Sequence, residues 1–232
     1  MDNRYIRYAV VGSETINTTN LWTLSKCVLS SPTFDTQYVD VPGRSAPLDL
    51  TDVFTLSSYK RRELTATVEC SGGDRVYRTM LIKSLFTKMH GKLLQLQLPD
   101  YNESQYLVGR PNLEVVCNDL AHAIVNIDAL CDPFIYSSPT VDTYTATNDE
   151  MCVTVSGAGD MIVVPKIVVS DEVNIKFHDY DVDARPVKTY SYHLTKGTHM
   201  LPELIINSYN GRTIYISGSG TVQISHKVGT LF

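Results

Sequence analysis

The sequence lacks the linear motifs that carry most catalytic and metal-binding chemistry. It contains no G-x-S-x-G elbow, no Walker phosphate loop, no H-E-x-x-H helix and no CxxC pair among its five cysteines. Its six histidines are scattered, and none stands beside a cysteine or serine in a nucleophile motif. We therefore expect a protein that is not an enzyme, with no catalytic residue, no cofactor, no metal and no disulfide framework.

Long apolar runs and an excess of basic charge are also missing. No stretch is long and uncharged enough to span a bilayer, and Met1-Asp2-Asn3-Arg4 lacks the layout of a signal peptide. We expect synthesis in a cytoplasm and no membrane insertion. The net charge of −5 argues against nucleic acid as the main partner, because lysine and arginine carry phosphate binding. The basic cluster Lys60-Arg61-Arg62 is interpreted as a solvated strand end.

An acidic stretch over residues 178–183 is the best metal candidate by residue type. On a strand its three aspartates would share one face, and carboxylate oxygens suit a hard cation such as calcium. Ala184 stands where an EF-hand loop needs a glycine. A solvated strand end is the preferred interpretation, so we expect no metal there.

The most prominent pattern is a helix that ends at a glycine. Gly72-Gly73 breaks the chain, and Asp74 is placed to cap the first helical turn. Gly91 is placed to end the helix in the left-handed conformation. The apolar stripe that faces the core is predicted at i, i+4 spacing, with two further apolar residues beside it: Tyr77, Leu81, Leu85 and Met89, flanked by Ile82 and Phe86.

One charged residue, Arg78, falls within this stripe. The sequence allows two interpretations of its position. In the first, the side chain snorkels at the edge of the stripe; in the second, it faces another subunit.

After the helix the apolar period changes to two. Leu94, Leu96 and Leu98 alternate with Gln95 and Gln97, which predicts a half-buried strand. Turn residues follow, and residues 105–110 are predicted to return as the second strand of a hairpin.

An earlier hairpin is predicted around the Pro42-Gly43 pair, which calls for a tight turn. Apolar residues on both sides, Val39-Asp40-Val41 and residues 48–51, predict flanking strands. Such a protruding hairpin could add a strand to the sheet of a neighbouring molecule.

The second half of the chain contains only strand patterns. Residues 137–140 form the best linker candidate, so we predict domains at residues 1–137 and 138–232. Short strands with regular turn signals predict a β-sandwich of jelly-roll type in the C-terminal domain. The fold class is therefore mainly β, with an α+β N-terminal domain in which one main helix lies across β-sheet.

In their order, several of these pieces resemble the distal tail proteins of bacteriophages with long, non-contractile tails. They are an early proline-glycine-arginine loop, the end of the helix, a tyrosine-containing strand that ends in Gly-Arg, an Asp-Pro-aromatic close of the first domain and a late Gly-Ser-Gly hairpin. The loop is Val41-Pro42-Gly43-Arg44 followed by Leu48-Asp49-Leu50-Thr51, and the end of the helix is Met89-His90-Gly91-Lys92. The strand is Gln105-Tyr106-Leu107-Val108-Gly109-Arg110. The close of the first domain is Asp132-Pro133-Phe134, and the late hairpin is Gly218-Ser219-Gly220.

The resemblance implies a structural virion protein. Members of that family form a hexameric ring at the tip of the tail tube, through which DNA passes. The N-terminal domain makes the ring and a galectin-like C-terminal domain projects outward. The implied partners are further copies of the chain, the major tail tube protein, a tail-associated hub, fibre or lysin protein, and receptor-binding proteins.

For the subunit interface we predict the hairpin residues and the misfit arginine: Val41, Pro42, Gly43, Arg44, Leu48 and Arg78. Two alternatives stay open. One is a lectin-like module whose C-terminal sandwich contacts cell-wall carbohydrate, although this half of the chain has no tryptophan and its tyrosines suit core packing better. The other is a cysteine hydrolase whose Cys/His pair is assembled only in space.

Overall fold

The computed structural model describes residues 7–10, 15–17, 22–36, 38–40, 48–49, 59–98, 101–102, 104–180, 186–207 and 211–232. By its internal contacts the chain divides into two compact units. The N-terminal unit runs from Met1 to Ile135 with Leu231, and the C-terminal unit from Tyr136 to Thr230 with Phe232. The sequence-based boundary, after residue 137, stays a prediction.

One helix and nineteen strands make up the described part of the chain. In order they are β1 (Arg7–Val10), β2 (Thr15–Asn17), β3 (Thr23–Leu29), β4 (Tyr38–Val39), β5 (Leu48–Asp49), β6 (Arg62–Cys70), α1 (Arg75–Met89), β7 (Leu94–Gln97), β8 (Leu107–Asn118), β9 (Ala123–Cys131), β10 (Ile135–Tyr136), β11 (Thr140–Thr145), β12 (Met151–Val155), β13 (Lys166–Val169), β14 (Val173–Tyr180), β15 (Pro186–Leu194), β16 (Gly197–Met200), β17 (Arg212–Gly218), β18 (Thr221–His226) and β19 (Gly229–Thr230). The prediction of a mainly β protein is confirmed.

The N-terminal unit is built on a seven-stranded antiparallel sheet in the order β2-β1-β7-β8-β9-β6-β3. Alternate residues of β6 and β9 are buried, so one face of the sheet supplies most of the core. Helix α1 contributes Ile82, Leu85 and Met89 to the same core, and Trp22 anchors the segment that precedes β3.

Both predicted caps of α1 are present. The Asp74 Oδ1 atom accepts the Tyr77 N–H at 2.7 Å, and Gly91 has φ +70° just beyond the last turn. The buried line, however, runs through Arg78 rather than Tyr77, which is largely exposed. The Tyr77 ring instead covers the Cα of Gly73, where a Cβ would collide with it. The predicted stripe was therefore displaced by one residue in this first turn.

Hydrogen bonds hold the C-terminal end of α1 on β8. The N–H of Gly91 donates to the Pro111 carbonyl at 2.8 Å, and the N–H of Leu113 donates to the His90 Nδ1 atom at 3.1 Å. Arg110 donates to the Gly91 carbonyl at 3.1 Å. The end of α1 is thus fixed by backbone groups of β8 beyond the point where β7 stops pairing with it, and by the side chain of Arg110.

The hairpin predicted after α1 forms, but its second strand is longer than predicted. The strand β8 runs from Leu107 through Pro111 to Asn118, well beyond its predicted end at residue 110. Pairing between β7 and β8 ends at Gly109, so no neighbouring strand needs a donor from Pro111 on that side. The proline is tolerated because the partner strand has already ended there.

The basic cluster before β6 is only partly solvated. Lys60 and Arg61 are exposed, but Arg62 is buried and its Nε donates to the Ser30 carbonyl at 2.7 Å. Arg62 occupies the inward position of the β6 alternation, two residues before the buried Leu64. The interpretation of the whole cluster as a solvated strand end was wrong for this residue.

Replacing Gly109 with alanine is expected to destabilise the N-terminal unit by about 2 kcal/mol through overpacking. A Cβ on Gly109 would lie 2.6 Å from the Cys131 Sγ atom and 3.3 Å from the Leu130 carbonyl oxygen. Urea unfolding followed by Trp22 fluorescence measures the change, because this single tryptophan lies in the N-terminal core.

Two further variants control this prediction. Adding Cys131→Ala removes the clashing sulfur, so the double variant should lose less stability than the sum of the two single changes. Gly72→Ala, where a Cβ meets nothing within 4 Å, should shift stability by less than about 0.5 kcal/mol. A Gly109→Ala variant as stable as the parent would contradict the prediction.

The C-terminal unit consists mainly of two four-stranded antiparallel sheets around one core. Their orders are β11-β18-β13-β16 and β12-β17-β14-β15. Ile167 and Ile224 from the first sheet meet Ile175, Phe177 and Ile214 from the second in that core. The predicted β-sandwich is therefore present. The similarity of this unit to galectins stays a prediction.

Candidate functional site

The predicted interface hairpin is bracketed by a strand pair. Strands β4 and β5 pair antiparallel, with Tyr38 opposite Asp49 and Val39 opposite Leu48. The predicted flanking strands are thus present at these positions. Val41, Pro42, Gly43 and Arg44 lie outside the described residues, and their place in an interface stays a prediction, as does that of Leu48.

Arg78 is the first residue of the buried stripe of α1, followed by Ile82, Leu85 and Met89. Only 1% of its surface is exposed, and its guanidinium joins two chain segments. One terminal nitrogen donates to the Gly73 carbonyl at 2.6 Å and the other to the Asp119 carbonyl at 2.7 Å. Arg78 therefore fixes the first turn of α1 to the loop between β8 and β9, and its role in a subunit contact stays a prediction.

Apolar side chains of both connected elements are exposed. Val76 and Met80, one helical turn apart on α1, are 70% and 64% exposed, and Leu120 in the β8–β9 loop is 89% exposed. The two elements are held together by Arg78 and by the Asn118 side chain, which donates to Thr79 Oγ1 at 3.0 Å. Val76 and Met80 are neighbours on the exposed face of α1, which makes this pair a candidate for a protein-binding surface.

The same loop brings together three side chains that the sequence reasoning did not connect. Cys117 is the penultimate residue of β8, beyond a register shift, while Asp119 begins the following turn and His122 closes it. The Cys117 Sγ atom lies 3.4 Å from Asp119 Oδ2, and His122 Nδ1 lies 3.3 Å from Asp119 Oδ1. The three ligand atoms lie within 4.8 Å of one another. We call this set the turn cluster.

Backbone donors organise the turn cluster. The Asp119 Oδ1 atom accepts the N–H groups of Ala121 at 2.7 Å and His122 at 2.8 Å. These two bonds, led by the one from His122, lower the pKa of Asp119 to about 2. Asp119 is therefore ionised at neutral pH and its turn is fixed.

The turn cluster does not have the electrostatics of a cysteine nucleophile. Cys117 is partly exposed, and its thiol donates to Asp119 Oδ2. Partial burial and the adjacent carboxylate raise the pKa of Cys117, which lowers the thiolate fraction. A catalytic cysteine needs the opposite shift.

Of the remaining cysteines, Cys70 and Cys131 are buried. Burial raises the pKa of Cys131 to about 12, so this thiol stays protonated at neutral pH. The exposed Cys152 lies in the C-terminal unit.

The acidic stretch considered as a metal site is only partly within the described residues. Asp181 and Asp183 lie outside them, and Asp179 pairs with Arg212. His178 Nδ1 bonds to Thr189 Oγ1 at 2.8 Å. Asp179, the aspartate of this stretch that the structure describes, thus forms an ion pair with an arginine of the same chain.

Comparison with known proteins identifies the fold. No family model and no curated protein matches the sequence. Among solved structures, the chain is similar to the crystal structure of the SPP1 Dit protein, with a TM-score of 0.61 and 16% sequence identity over 96% of this chain and 98% of the other. That protein is described as a paradigm of the hub adsorption apparatus in phages that infect Gram-positive bacteria.

The chain has the fold of SPP1 Dit. The resemblance to distal tail proteins is confirmed at this level, over both units. In the part of the chain that the structure describes, α1 has neither the length nor the apolar composition to cross a bilayer.

The signal that would have revealed the turn cluster was in the sequence, as C-x-D-x-x-H over residues 117–122. This spacing matches neither a CxxC pair nor a histidine beside a cysteine, the patterns typical of metal and nucleophile sites. The turn cluster becomes recognisable only in the folded chain, because the turn brings all three side chains together.

Proposed function

We propose that the protein is a structural virion protein, the distal tail protein of a phage with a long, non-contractile tail. The similarity to SPP1 Dit covers nearly all of both chains and includes both units, and this observation carries the proposal. A protein that shared one common sandwich domain with Dit would match over about half its length.

In this proposal six copies form a closed ring at the tail tip through their N-terminal units. The ring joins the major tail tube protein on one side to a hub, fibre or lysin protein on the other, and it carries receptor-binding proteins. DNA passes through the channel without specific binding, consistent with the net charge of −5. The protein has no catalytic role.

A cyclic ring needs two different complementary surfaces on each subunit. We propose the hairpin of Val41, Pro42, Gly43, Arg44 and Leu48 as one of them. The other includes the exposed apolar side chains of α1. Arg78 is buried beneath this surface and stabilises it, because its hydrogen bonds fix the loop that follows β8 to the helix.

The proposal predicts rings that depend on the exposed face of α1. Mass photometry of the purified protein should show particles of roughly six times the 25.9 kDa chain mass. The double change Val76→Asp/Met80→Asp should shift the population to monomers, because it places charge in a desolvated contact. Both side chains are largely exposed in the single chain, so the subunit fold is expected to persist.

Gln223→Glu, an exposed change of charge in the C-terminal unit, is the matched control and should leave the rings intact. Monomers of the unmodified chain at every concentration would contradict a self-assembling ring. Stabilisation of such a monomer by cell-wall glycans would instead support the carbohydrate-binding alternative.

A further inference from the structure

Three potential metal ligands of different types meet in the turn cluster. Cys117 offers a sulfur, His122 an imidazole nitrogen and Asp119 a carboxylate oxygen. Thiolate and imidazole together select zinc-like transition metals over calcium and magnesium, which prefer sets of oxygen ligands. The combination is therefore informative about the class of metal.

We propose that Cys117, Asp119 and His122 bind one divalent transition metal of the zinc class, with water in the fourth position. The site does not need the proposed ring, since all three ligands come from residues 117–122 of one chain, at the end of β8 and in the turn after it.

The separations between the donor atoms fit such an ion. Zinc bonds of about 2.0–2.3 Å in a tetrahedron place neighbouring ligand atoms about 3.3–3.8 Å apart. The separation between Cys117 Sγ and Asp119 Oδ2 is 3.4 Å, and that between Asp119 Oδ1 and His122 Nδ1 is 3.3 Å. These two separations involve different oxygens of Asp119, but one ligand atom from each of the three residues lies within 4.8 Å of the others, so side-chain rotation can bring the three donors around one ion.

The backbone of the loop is already fixed, which lowers the entropy cost of binding. The Asp119 N–H donates to the His122 carbonyl at 3.1 Å, and Arg78 holds the Asp119 carbonyl. Asp119 Oδ1 is engaged by backbone N–H groups, which leaves Oδ2 to the cysteine thiol. The metal would replace the thiol proton between Sγ and Oδ2, and that proton passes to solvent.

Solvent can reach the site. The Asp119 side chain is 48% exposed and the His122 side chain is 32% exposed. An ion can therefore enter directly from solution, and water can occupy the position that the protein does not fill.

Titration of the full-length protein with Co²⁺ under reducing conditions tests the site. The expected result is one equivalent of bound Co²⁺, with the visible absorption of a tetrahedral centre and a thiolate-to-cobalt band in the near ultraviolet. Zn²⁺ should abolish both. Zn²⁺ should also raise the unfolding midpoint followed by Trp22 fluorescence, a readout that needs no activity.

Variants assign the ligands. Cys117→Ser should remove the near-ultraviolet band, and His122→Ala should weaken Co²⁺ binding at least about tenfold. Asp119→Asn keeps an oxygen for the turn bonds and should also weaken binding. Cys152→Ser, the control at an exposed cysteine of the other unit, should bind as the parent does.

Three outcomes would overturn the proposal. The first is the absence of a tetrahedral spectrum at one equivalent of Co²⁺. The second is parental binding by Cys117→Ser or His122→Ala, and the third is loss of the band in Cys152→Ser. If one variant fails to fold, as judged by Trp22 emission, the other two ligand variants still decide the result.

Discussion

Replacing Arg78 with alanine is expected to destabilise the N-terminal unit by about 4 kcal/mol. The guanidinium donates two charge-assisted hydrogen bonds, to the carbonyls of Gly73 and Asp119, and each contributes about 1.5–3 kcal/mol. The alanine variant leaves both carbonyls without this partner and a cavity in the stripe. Urea unfolding followed by Trp22 fluorescence measures the loss.

Two variants separate the hydrogen bonds of Arg78 from its packing. Arg78→Met keeps most of the side-chain volume and should lose about 3 kcal/mol, the lower end for two such bonds, because the hydrogen bonds are removed while the packing is kept. Arg75→Ala, an exposed arginine on the same helix, should change stability by less than about 0.5 kcal/mol. Parental stability of Arg78→Met would show that the cost of burying the charge cancels the two bonds.

Replacing Phe177 with alanine is expected to destabilise the C-terminal unit by about 4 kcal/mol. Phe177 is fully buried on β14, and its ring stacks on Tyr190 at 5.1 Å and on Tyr192 at 6.0 Å between centroids. The Arg212 guanidinium lies 5.0 Å from the Phe177 ring centroid. The truncation therefore removes several contacts at once from a closely packed core.

Hydrogen exchange of peptides from β14 and β17 measures this effect, because the single tryptophan of the chain lies in the other unit. Phe177→Leu keeps most of the volume and should cost about 1.5 kcal/mol. Tyr180→Ala, at an exposed position of the same strand, should leave protection unchanged. A loss of protection confined to residues near 177 would contradict cooperative unfolding of the unit.

Much of the local structure could be predicted from the sequence, because it depends on neighbouring residues. The Asp74 cap and the left-handed Gly91 are local solutions to the unpaired groups of a helix end. The strands of the C-terminal unit follow from alternation and turn residues in the same way. The order of these elements also indicated the distal tail protein fold, which the similarity to SPP1 Dit confirms.

Where the prediction failed, contacts distant in sequence made the difference. A helical stripe can rotate by one residue without changing its period, and Arg78 is buried because a carbonyl 41 residues away accepts its hydrogen bond. Pro111 continues a strand because β7 ends beside it. The local sequence pattern reveals neither the Asp119 carbonyl beside Arg78 nor the end of β7 beside Pro111.

By itself the sequence determined the helix with its caps, the alternating strands and the order of motifs. It also determined the fold class, an α+β part followed by a β-sandwich. These depend on interactions within a few residues or on the burial period. The tertiary structure alone decided which face of α1 is buried, that β8 is continuous, and that Cys117, Asp119 and His122 point to one place. Those features depend on where a turn directs its side chains and on which backbone groups a neighbouring strand leaves unpaired.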